Sequence, residues 1–588
     1  MRFPMTERNT YTRRVRVGTT TTPLSYSPLS LMSSHSPRTR PLPRRQLRRF
    51  CLTPLSPRQA KTARDKEVKR LQMCKDESEG EAAKGIEHEE KCAPLTNLAG
   101  KTVAIVGLGA SGIAAAKLAC DRDVKKLVLM DRAEKPTETQ SEALRELEGV
   151  RGMDVDVFFG KHEPEHFSDV DVAVMSPGVP LARIEDTISR SKSSDTILVT
   201  SEFAFAVAEI QEEGIPIAAI TGTNGKTTVT SFVAQLLTAL GKKCISCGNI
   251  GRPLSDVALS LRREKQGAQS QSNGAGNGSS REIDVESLDA LVVEVSSYQL
   301  EIPSAFHPKV AVVLNLTQDH MERHGDMTAY AKAKASVCAN MLKEDDLIVV
   351  PKGDELIREQ VALRNSTCKR VTIGDFPGVW VSNNTASVQL PWWFTHRDFR
   401  LGDLSRTCLG EHNAWNAAVA ILVCFALGFE WPVIKVAEAI AQLKTPPHRL
   451  EILDTVDGVN FVNDSKATNI DAARVGITSL GRPSVVLLGG EAKRLGNGKL
   501  GFGELVEVLS KQKAVITFGQ DREQISKELD CEDIECIGVA TLKDAVAKAF
   551  EISSSGDTVL LSPACASFDE FKNFEHRGES FKRYVEKL

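Results

Sequence analysis

From residue 101 onward, apolar positions come in short runs of strand length, each ending in Gly, Ser, Asp or Asn and each followed by a stretch of helical pattern. The runs that read as strands are 102–106, 127–130, 172–175, 215–220, 290–295, 310–316, 347–350, 460–463, 484–488, 514–518 and 558–561. Such βα alternation predicts an α/β fold of parallel sheets covered by helices on both faces. Ligands then bind outside the carboxyl ends of the strands, which is where the unusual residues fall. Two segments break the rhythm. Residues 262–287 contain a Gln/Ser/Asn/Gly run that cannot bury a core and is expected to be a disordered surface loop. Residues 366–408 are richer in β-formers, include Trp392 and Trp393, and are expected to form an antiparallel patch joining two larger lobes. The pattern shifts near residues 200 and 445, which places domain boundaries there.

Charge changes this picture at one end only. The 588 residues sum to −3, yet residues 1–60 hold twelve arginines, no lysine and one acid, Glu7, a charge of +11. The other 528 residues therefore carry −14. Rich in Ser, Thr and Pro and without an apolar core of 7–15 residues, the leader excludes a secretory signal and fits an organellar transit peptide; a basic disordered tail is the alternative. Residues 61–97 mix Lys and Glu and read as a charged linker. The acidic body argues against a nucleic-acid partner. The longest apolar run, 419–427, is too short to span a bilayer. Thirteen scattered cysteines suggest free thiols in a reducing compartment. Cys244 and Cys247 read as small residues on a buried strand, with zinc or redox chemistry as the alternative.

Four motifs carry chemistry. Gly107-Leu-Gly109-Ala-Ser111-Gly112 follows the first strand, and Asp131 ends the next one. Such glycines let backbone approach a diphosphate at a helix N-terminus, which suits a dinucleotide, another nucleotide, or tight strand–helix packing alone. Thr221-Gly222-Thr223-Asn224-Gly225-Lys226-Thr227-Thr228 resembles a phosphate-binding loop, although the standard spacing wants Gly where Ile220 stands. Its N–H groups can cradle phosphates, Lys226 can neutralise them, and the Thr227 hydroxyl can reach Mg²⁺. At neighbouring strand ends stand Gly248–Gly251, Glu294 with Gln299, and Asp319-His320; Glu294 and His320 suit Mg²⁺ beside a γ-phosphate. The C-terminal third repeats the device with His448-Arg449, Asp464-Ser-Lys466-Ala-Thr468, Glu491-Ala-Lys493 and the segment 562–578, which line one rim with cations fit for anionic ligands.

The loop Thr-Gly-Thr-Asn-Gly-Lys-Thr-Thr, the run Asn463-Asp-Ser-Lys-Ala-Thr-Asn469 and the triplet Pro447-His-Arg449 together resemble the ATP-dependent Mur ligase superfamily. The tail Leu561-Ser-Pro-Ala-Cys-Ala-Ser-x-Asp-x-Phe-Lys-Asn-Phe-Glu-x-Arg-Gly578 is more narrowly similar to its D-glutamate-adding branch. The resemblance covers residue 98 to the C-terminus. It implies a nucleotide-sugar-binding Rossmann-like domain over 98–200, a central P-loop-type ATPase domain over 201–445, and a Rossmann-like domain binding amino acid and ATP over 446–588. It implies ligation of D-glutamate to UDP-N-acetylmuramoyl-L-alanine through an acyl phosphate, in peptidoglycan synthesis. A ligase adding another amino acid, or one of folylpolyglutamate type, is the alternative.

The resemblance also implies roles. Gly222, Thr223, Asn224, Gly225, Lys226, Thr227 and Thr228 would hold ATP, joined by Asn416, Arg449, Asp464 and Lys466. Thr227 and Glu294 would bind a first Mg²⁺; His320 and Lys334, the latter carbamylated, would bind a second. Ser111, Asp131, Ser176, Pro177, Gly178, Asn249 and Gln299 would contact the UDP-sugar substrate. Thr468, Lys493, Ser567 and Phe574 would contact D-glutamate. Lys226, Glu294, His320 and Lys334 are the expected catalytic set. Two departures stand out: Arg132-Ala133 where bacterial relatives show Thr-Arg, and Glu491 where Asp is usual. The chain is expected to act as a monomer on small molecules. A peptidoglycan enzyme behind a basic leader points to the plastid stroma, with the cytoplasm as the alternative.

Overall fold

The computed structural model describes residues 97–149, 153–191, 197–271, 288–365, 367–402, 404, 408–494 and 499–588. The expected leader and nearly all of the expected linker lie outside the described residues. Within them the chain forms three sheets in sequence order. The first comprises β1 (Thr102–Val106), β2 (Lys126–Asp131), β3 (Asp154–Phe159), β4 (Val172–Met175) and β5 (Leu198–Ser201), ordered β3-β2-β1-β4-β5 and parallel throughout.

The second comprises β6 (Ile217–Thr221), β7 (Cys244–Gly248), β8 (Ala290–Glu294), β9 (Val310–Val313), β10 (Leu347–Pro351), β11 (Lys369–Ile373), β12 (Gly378–Ser382), β13 (Thr385–Gln389) and β14 (Arg397–Arg400). Its order is β14-β13-β12-β11-β10-β9-β6-β8-β7. The third holds β15 (Glu451–Ile452), β16 (Asn460–Asn463), β17 (Val485–Gly489), β18 (Ala514–Phe518), β19 (Cys536–Gly538) and β20 (Thr558–Leu561), ordered β15-β16-β20-β17-β18-β19 and parallel except for β15. This is the α/β architecture that the apolar runs predict.

Strand alternation explains why the central runs are apolar without interruption. Val103 and Ile105 of β1 enter one core while Ala104 and Val106 enter another. In β6, Ile217 and Ala219 face the first of these cores, and Ala218 and Ile220 face a third. In β17, Val486 and Leu488 point one way and Val485 and Leu487 the other. A strand packed on both faces has no position left for a polar residue until it ends. One core runs continuously from the first sheet into the second, through the helices Ala110–Asp121, Glu202–Glu212 and Leu254–Gln271. The third sheet has its own two cores.

Two expectations change. The helix Leu254–Gln271 runs on through the first ten residues of the segment expected to be a loop. Arg262 and Arg263 both pair with Asp121, at 2.9 and 3.2 Å, and Lys265 pairs with Glu213 at 3.0 Å. Those ties and the good helix formers Arg, Glu, Lys and Gln sustain it; residues 272–287 lie outside the described set. The segment 366–408 does contain an antiparallel meander, β12-β13-β14, but it extends the edge of the central sheet and does not join lobes. Val379, Ala386, Val388 and Phe399 anchor it to the buried helix Glu411–Ala426. Among the described residues no helix is long and apolar enough to cross a membrane, and none of the described cysteines forms a disulfide with another, Cys244 and Cys247 lying on β7.

Candidate active site

The second sheet reverses its winding around β6, and the loop leaving β6 is the phosphate-type loop. Gly222 (φ 146°) and Gly225 (φ 85°) occupy backbone regions that favour glycine. A Cβ on Gly222 would lie 3.0 Å from that of Leu314, so the loop is folded down on the chain leaving β9. Asn315 holds it there: its Oδ1 accepts Asn224 N–H at 2.8 Å and its Nδ2 donates to Asn224 O at 3.0 Å. Thr223 Oγ1 accepts Thr317 N–H at 3.1 Å. The helix Lys226–Ala239 starts here with no side-chain cap, so its N-terminal dipole is directed into the loop.

Two amines converge on the loop. Lys226 Nζ donates to the carbonyls of Gly222 and Thr223, both at 2.8 Å, and Lys334 Nζ donates to the same Gly222 carbonyl at 2.9 Å. Burial depresses the pKa of both; for Lys334, only 1% exposed, the charge on Lys226 depresses it further. Glu294 ends β8 beside them. Its Oε1 accepts Asn249 Nδ2–H at 2.8 Å, and its buried Oε2 has no hydrogen-bond partner among the described residues.

The third sheet faces this loop with its own strand ends. Arg449 Nη2 donates to Thr227 Oγ1 at 3.0 Å, and Lys493 Nζ pairs with Asp319 Oδ1 at 2.6 Å. Asp464 accepts Ser562 Oγ–H at 2.8 Å, and burial raises its pKa to about 7. Lys466 lies 3.6 Å from the centroid of the Phe574 ring, and burial lowers its pKa to about 8. Between the two sheets lies a cleft of about 230 Å³ lined by Thr223–Thr228, Asn249, Glu294, Asp319, His320, Asn416, Arg449, Asp464, Lys466, Thr468 and Lys493, among others. It brings four cationic side chains, Lys226, Arg449, Lys466 and Lys493, around an anion-binding helix N-terminus. The unpartnered Glu294 oxygen fits a cation bound with a phosphate. Among the described residues no group of three or more His, Cys, Asp or Glu forms a metal cage. Mg²⁺ at a nucleotide needs only one or two protein oxygens, so this donor set fits it.

Three family descriptions match in order: a Mur ligase MurD-like N-terminal domain over residues 101–198, a Mur ligase middle domain over 220–424, and a Mur ligase glutamate ligase domain over 448–565. The UDP-N-acetylmuramoylalanine–D-glutamate ligase of Thermoanaerobacter sp. (strain X514) is 33% identical over 506 residues, covering 84% of this chain and 99% of that protein. The chain belongs to the Mur ligase family. The enzyme of the same name from Pelotomaculum thermopropionicum is 35% identical over 497 residues, 84% of this chain and 98% of the relative. Among solved structures, UDP-N-acetylmuramate-alanine ligase from Thermotoga maritima has a TM-score of 0.48 at 18% identity, covering 83% of this chain and all of that one. As a Mur ligase, the protein is an ATP-dependent acid–amino-acid ligase.

The remaining expected residues of this Mur ligase are not among those that line the cleft. Ser111, Asp131, Ser176, Pro177 and Gly178 ring the carboxyl end of the first sheet. There Ser176 Oγ donates to Gly107 O at 2.6 Å and Asp131 Oδ2 accepts Leu108 N–H at 2.8 Å. A Cβ on Gly112 would meet Gly107 O at 1.9 Å, so close strand–helix packing by itself requires that glycine. Gln299 is buried, its Oε1 accepting from Ser296 N–H and Oγ–H at 2.9 Å each. Ser567 is buried after β20, and Phe574 opens the last helix.

Sequence reasoning left Asp319, His412, Asn413 and Asn469 without roles, yet all line the cleft. Asp319 holds Lys493 and lies 3.4 Å from Asn469 Nδ2, tying the central and third sheets. The signal for Asp319 was its place directly before His320; His412 and Asn413 sit one helical turn before Asn416. Burial, helped by Arg449, lowers the pKa of His412 to about 4.

Replacing Lys226 with Ala removes the cation that the loop is shaped around; ATP turnover is expected to fall about a thousandfold or more, with an unchanged circular dichroism spectrum. Unfolded chains take up a proton at an ordinary histidine near pH 6.5, whereas folded His412 resists protonation down to about pH 4. Stability is therefore full above about pH 6.5 and falls as pH drops toward 4. Urea midpoints measured across that window should decline less steeply for His412→Gln than for the natural chain.

Proposed function

We propose that this Mur ligase joins D-glutamate to UDP-N-acetylmuramoyl-L-alanine as a step of peptidoglycan synthesis. The observation that carries the reading is the facing of two strand-end rims across one cleft, a phosphate loop on one side and cations for carboxylates on the other. The relatives bearing that activity in their names span the same length of chain, which supports the substrate assignment. In the reaction, an oxygen of the alanyl carboxylate attacks the γ-phosphorus of ATP and ADP leaves, giving an acyl phosphate. The amine of D-glutamate then attacks the acyl carbon, the tetrahedral adduct expels phosphate with its bridging oxygen, and the nitrogen loses a proton as the amide forms.

Each part of the site suits one share of this work. The N–H groups and Lys226 would hold the transferring phosphate, and Arg449 and Lys466 would hold the nucleotide from the opposite rim. Bound Mg²⁺ would screen phosphate charge, with Thr227 and Glu294 as its protein oxygens and His320 and Lys334 serving a second ion. Lys493, with Thr468, Ser567 and Phe574, would take the carboxylates of D-glutamate, exchanging Asp319 for the substrate. Ser111, Asp131, Ser176–Gly178, Asn249 and Gln299 would shape the UDP-sugar site.

Carbamylation of Lys334 is supported by its environment. Only a neutral amine adds CO₂, with a new N–C bond and loss of a proton, and burial beside Lys226 favours the neutral amine. The product is an anion next to Lys226, which places opposite charges side by side in the buried site. Lys334→Ala should lose activity and recover part of it with formate or acetate; full activity without rescue would remove this lysine from the mechanism. The substrate reading is tested with the full-length chain, ATP, Mg²⁺ and UDP-N-acetylmuramoyl-L-alanine. Phosphate release should depend on D-Glu and not on L-Glu, L-Lys or D-Ala; release with one of the others instead would assign a different amino acid to the site.

A further inference from the structure

The loop after β8 carries a tyrosine that the roles above do not use. Tyr298 places its hydroxyl 2.7 Å from Nδ1 of His320, with the ring centroids 4.8 Å apart. Its ring is also held by Arg323, whose guanidinium carbon lies 4.1 Å from the ring centroid. Arg323 is fixed in turn by a two-pronged pair with Glu301, at 2.8 and 2.7 Å, and by donating to the Pro177 carbonyl at 3.0 Å. The phenol is thus set in place by groups from two sheets. His320 itself sits at φ 58°, a left-handed backbone region uncommon outside glycine.

We infer that Tyr298 is a positioning residue for the ligation: its oxygen accepts the Nδ1–H of His320, fixing the tautomer whose Nε2 is free to bind a cation. The inference rests on the reading of His320 as a ligand of the second Mg²⁺. The surroundings of the two nitrogens favour this tautomer over its opposite. Near Nδ1 the phenol oxygen stands within hydrogen-bonding length, and the carboxylate of Glu322, its Oε1 3.6 Å away, adds negative charge on that side. Near Nε2, among the described residues, the acid is Asp319, whose Oδ2 is likewise 3.6 Å away but whose charge is already matched by Lys493. A histidine that binds a metal through one nitrogen is oriented by a hydrogen bond from the other, and loss of that partner weakens metal binding about 10–100-fold. The same chain of contacts connects the Pro177 loop of the first sheet to the cation ligand.

The test uses full-length protein labelled with ¹⁵N-histidine, the variant Tyr298→Phe, which keeps the ring and removes only the hydroxyl, and His320→Gln to assign the signal. In metal-free protein the His320 nitrogens should report the Nδ1–H tautomer, and Tyr298→Phe should shift them toward Nε2–H. Titration of Mn²⁺ by electron paramagnetic resonance, with a non-hydrolysable ATP analogue present, should show one site weakened about tenfold or more in Tyr298→Phe. The KM for the UDP-sugar should change little while kcat falls. An Nε2–H tautomer in the natural protein, or an unchanged tautomer in Tyr298→Phe, would overturn the inference, as would unchanged Mn²⁺ binding in Tyr298→Phe where His320→Gln weakens it. Unchanged Mn²⁺ binding in His320→Gln would instead remove His320 from the metal site and overturn the reading on which the inference rests.

Discussion

Two lysine side chains end on one carbonyl oxygen, and much of the site follows from that meeting. Gly222 offers its carbonyl to both the buried Lys334 and the partly buried Lys226. Two ammonium groups cannot share such a place cheaply without negative charge close by. The structure answers with Glu294 at the next strand end, with burial that lowers the pKa of Lys334, and with an open cleft into which a polyphosphate can enter. The glycines of the loop, the paired amide contacts of Asn315 and the start of the helix at Lys226 all serve to hold that carbonyl and its neighbours in position.

The fold was legible from the apolar runs because both faces of the parallel strands are buried, which leaves unbroken hydrophobic segments that stop where chemistry begins. Strands β3 and β5 escaped notice for the opposite reason. In β3 acids alternate with half-buried apolar residues, and β5 is four residues long with an exposed Leu198. The helix through 262–271 was hidden because its charged residues look like a loop in isolation. Their partners, Asp121 and Glu213, are far away in the sequence.

The site shows the same division. Lys226, Glu294, Asp464 and Lys466 stand out because each follows a strand, where a polar residue has a reason to be. Asp319 pairs across the cleft with Lys493 of the third sheet's rim, and Arg449, from the same side as Lys493, disfavours the charged form of His412. One-dimensional spacing does not report such pairings. The tyrosine beside His320 is another case: its position within the motif says nothing of which nitrogen it will meet.

The first two sheets share one apolar core, while the third meets the central sheet at the cleft through polar contacts such as Arg449 with Thr227 and Lys493 with Asp319. Leu409 adds an apolar contact from the central part to a core of the third sheet, but at the cleft charge and hydrogen bonds make the junction, and these are interchangeable in a way that packed side chains are not. Contacts of that kind at the rim of the cleft, Lys493 with Asp319 among them, can be exchanged without repacking an interior. One scaffold can in this way serve a lineage of enzymes that differ in the building block they append.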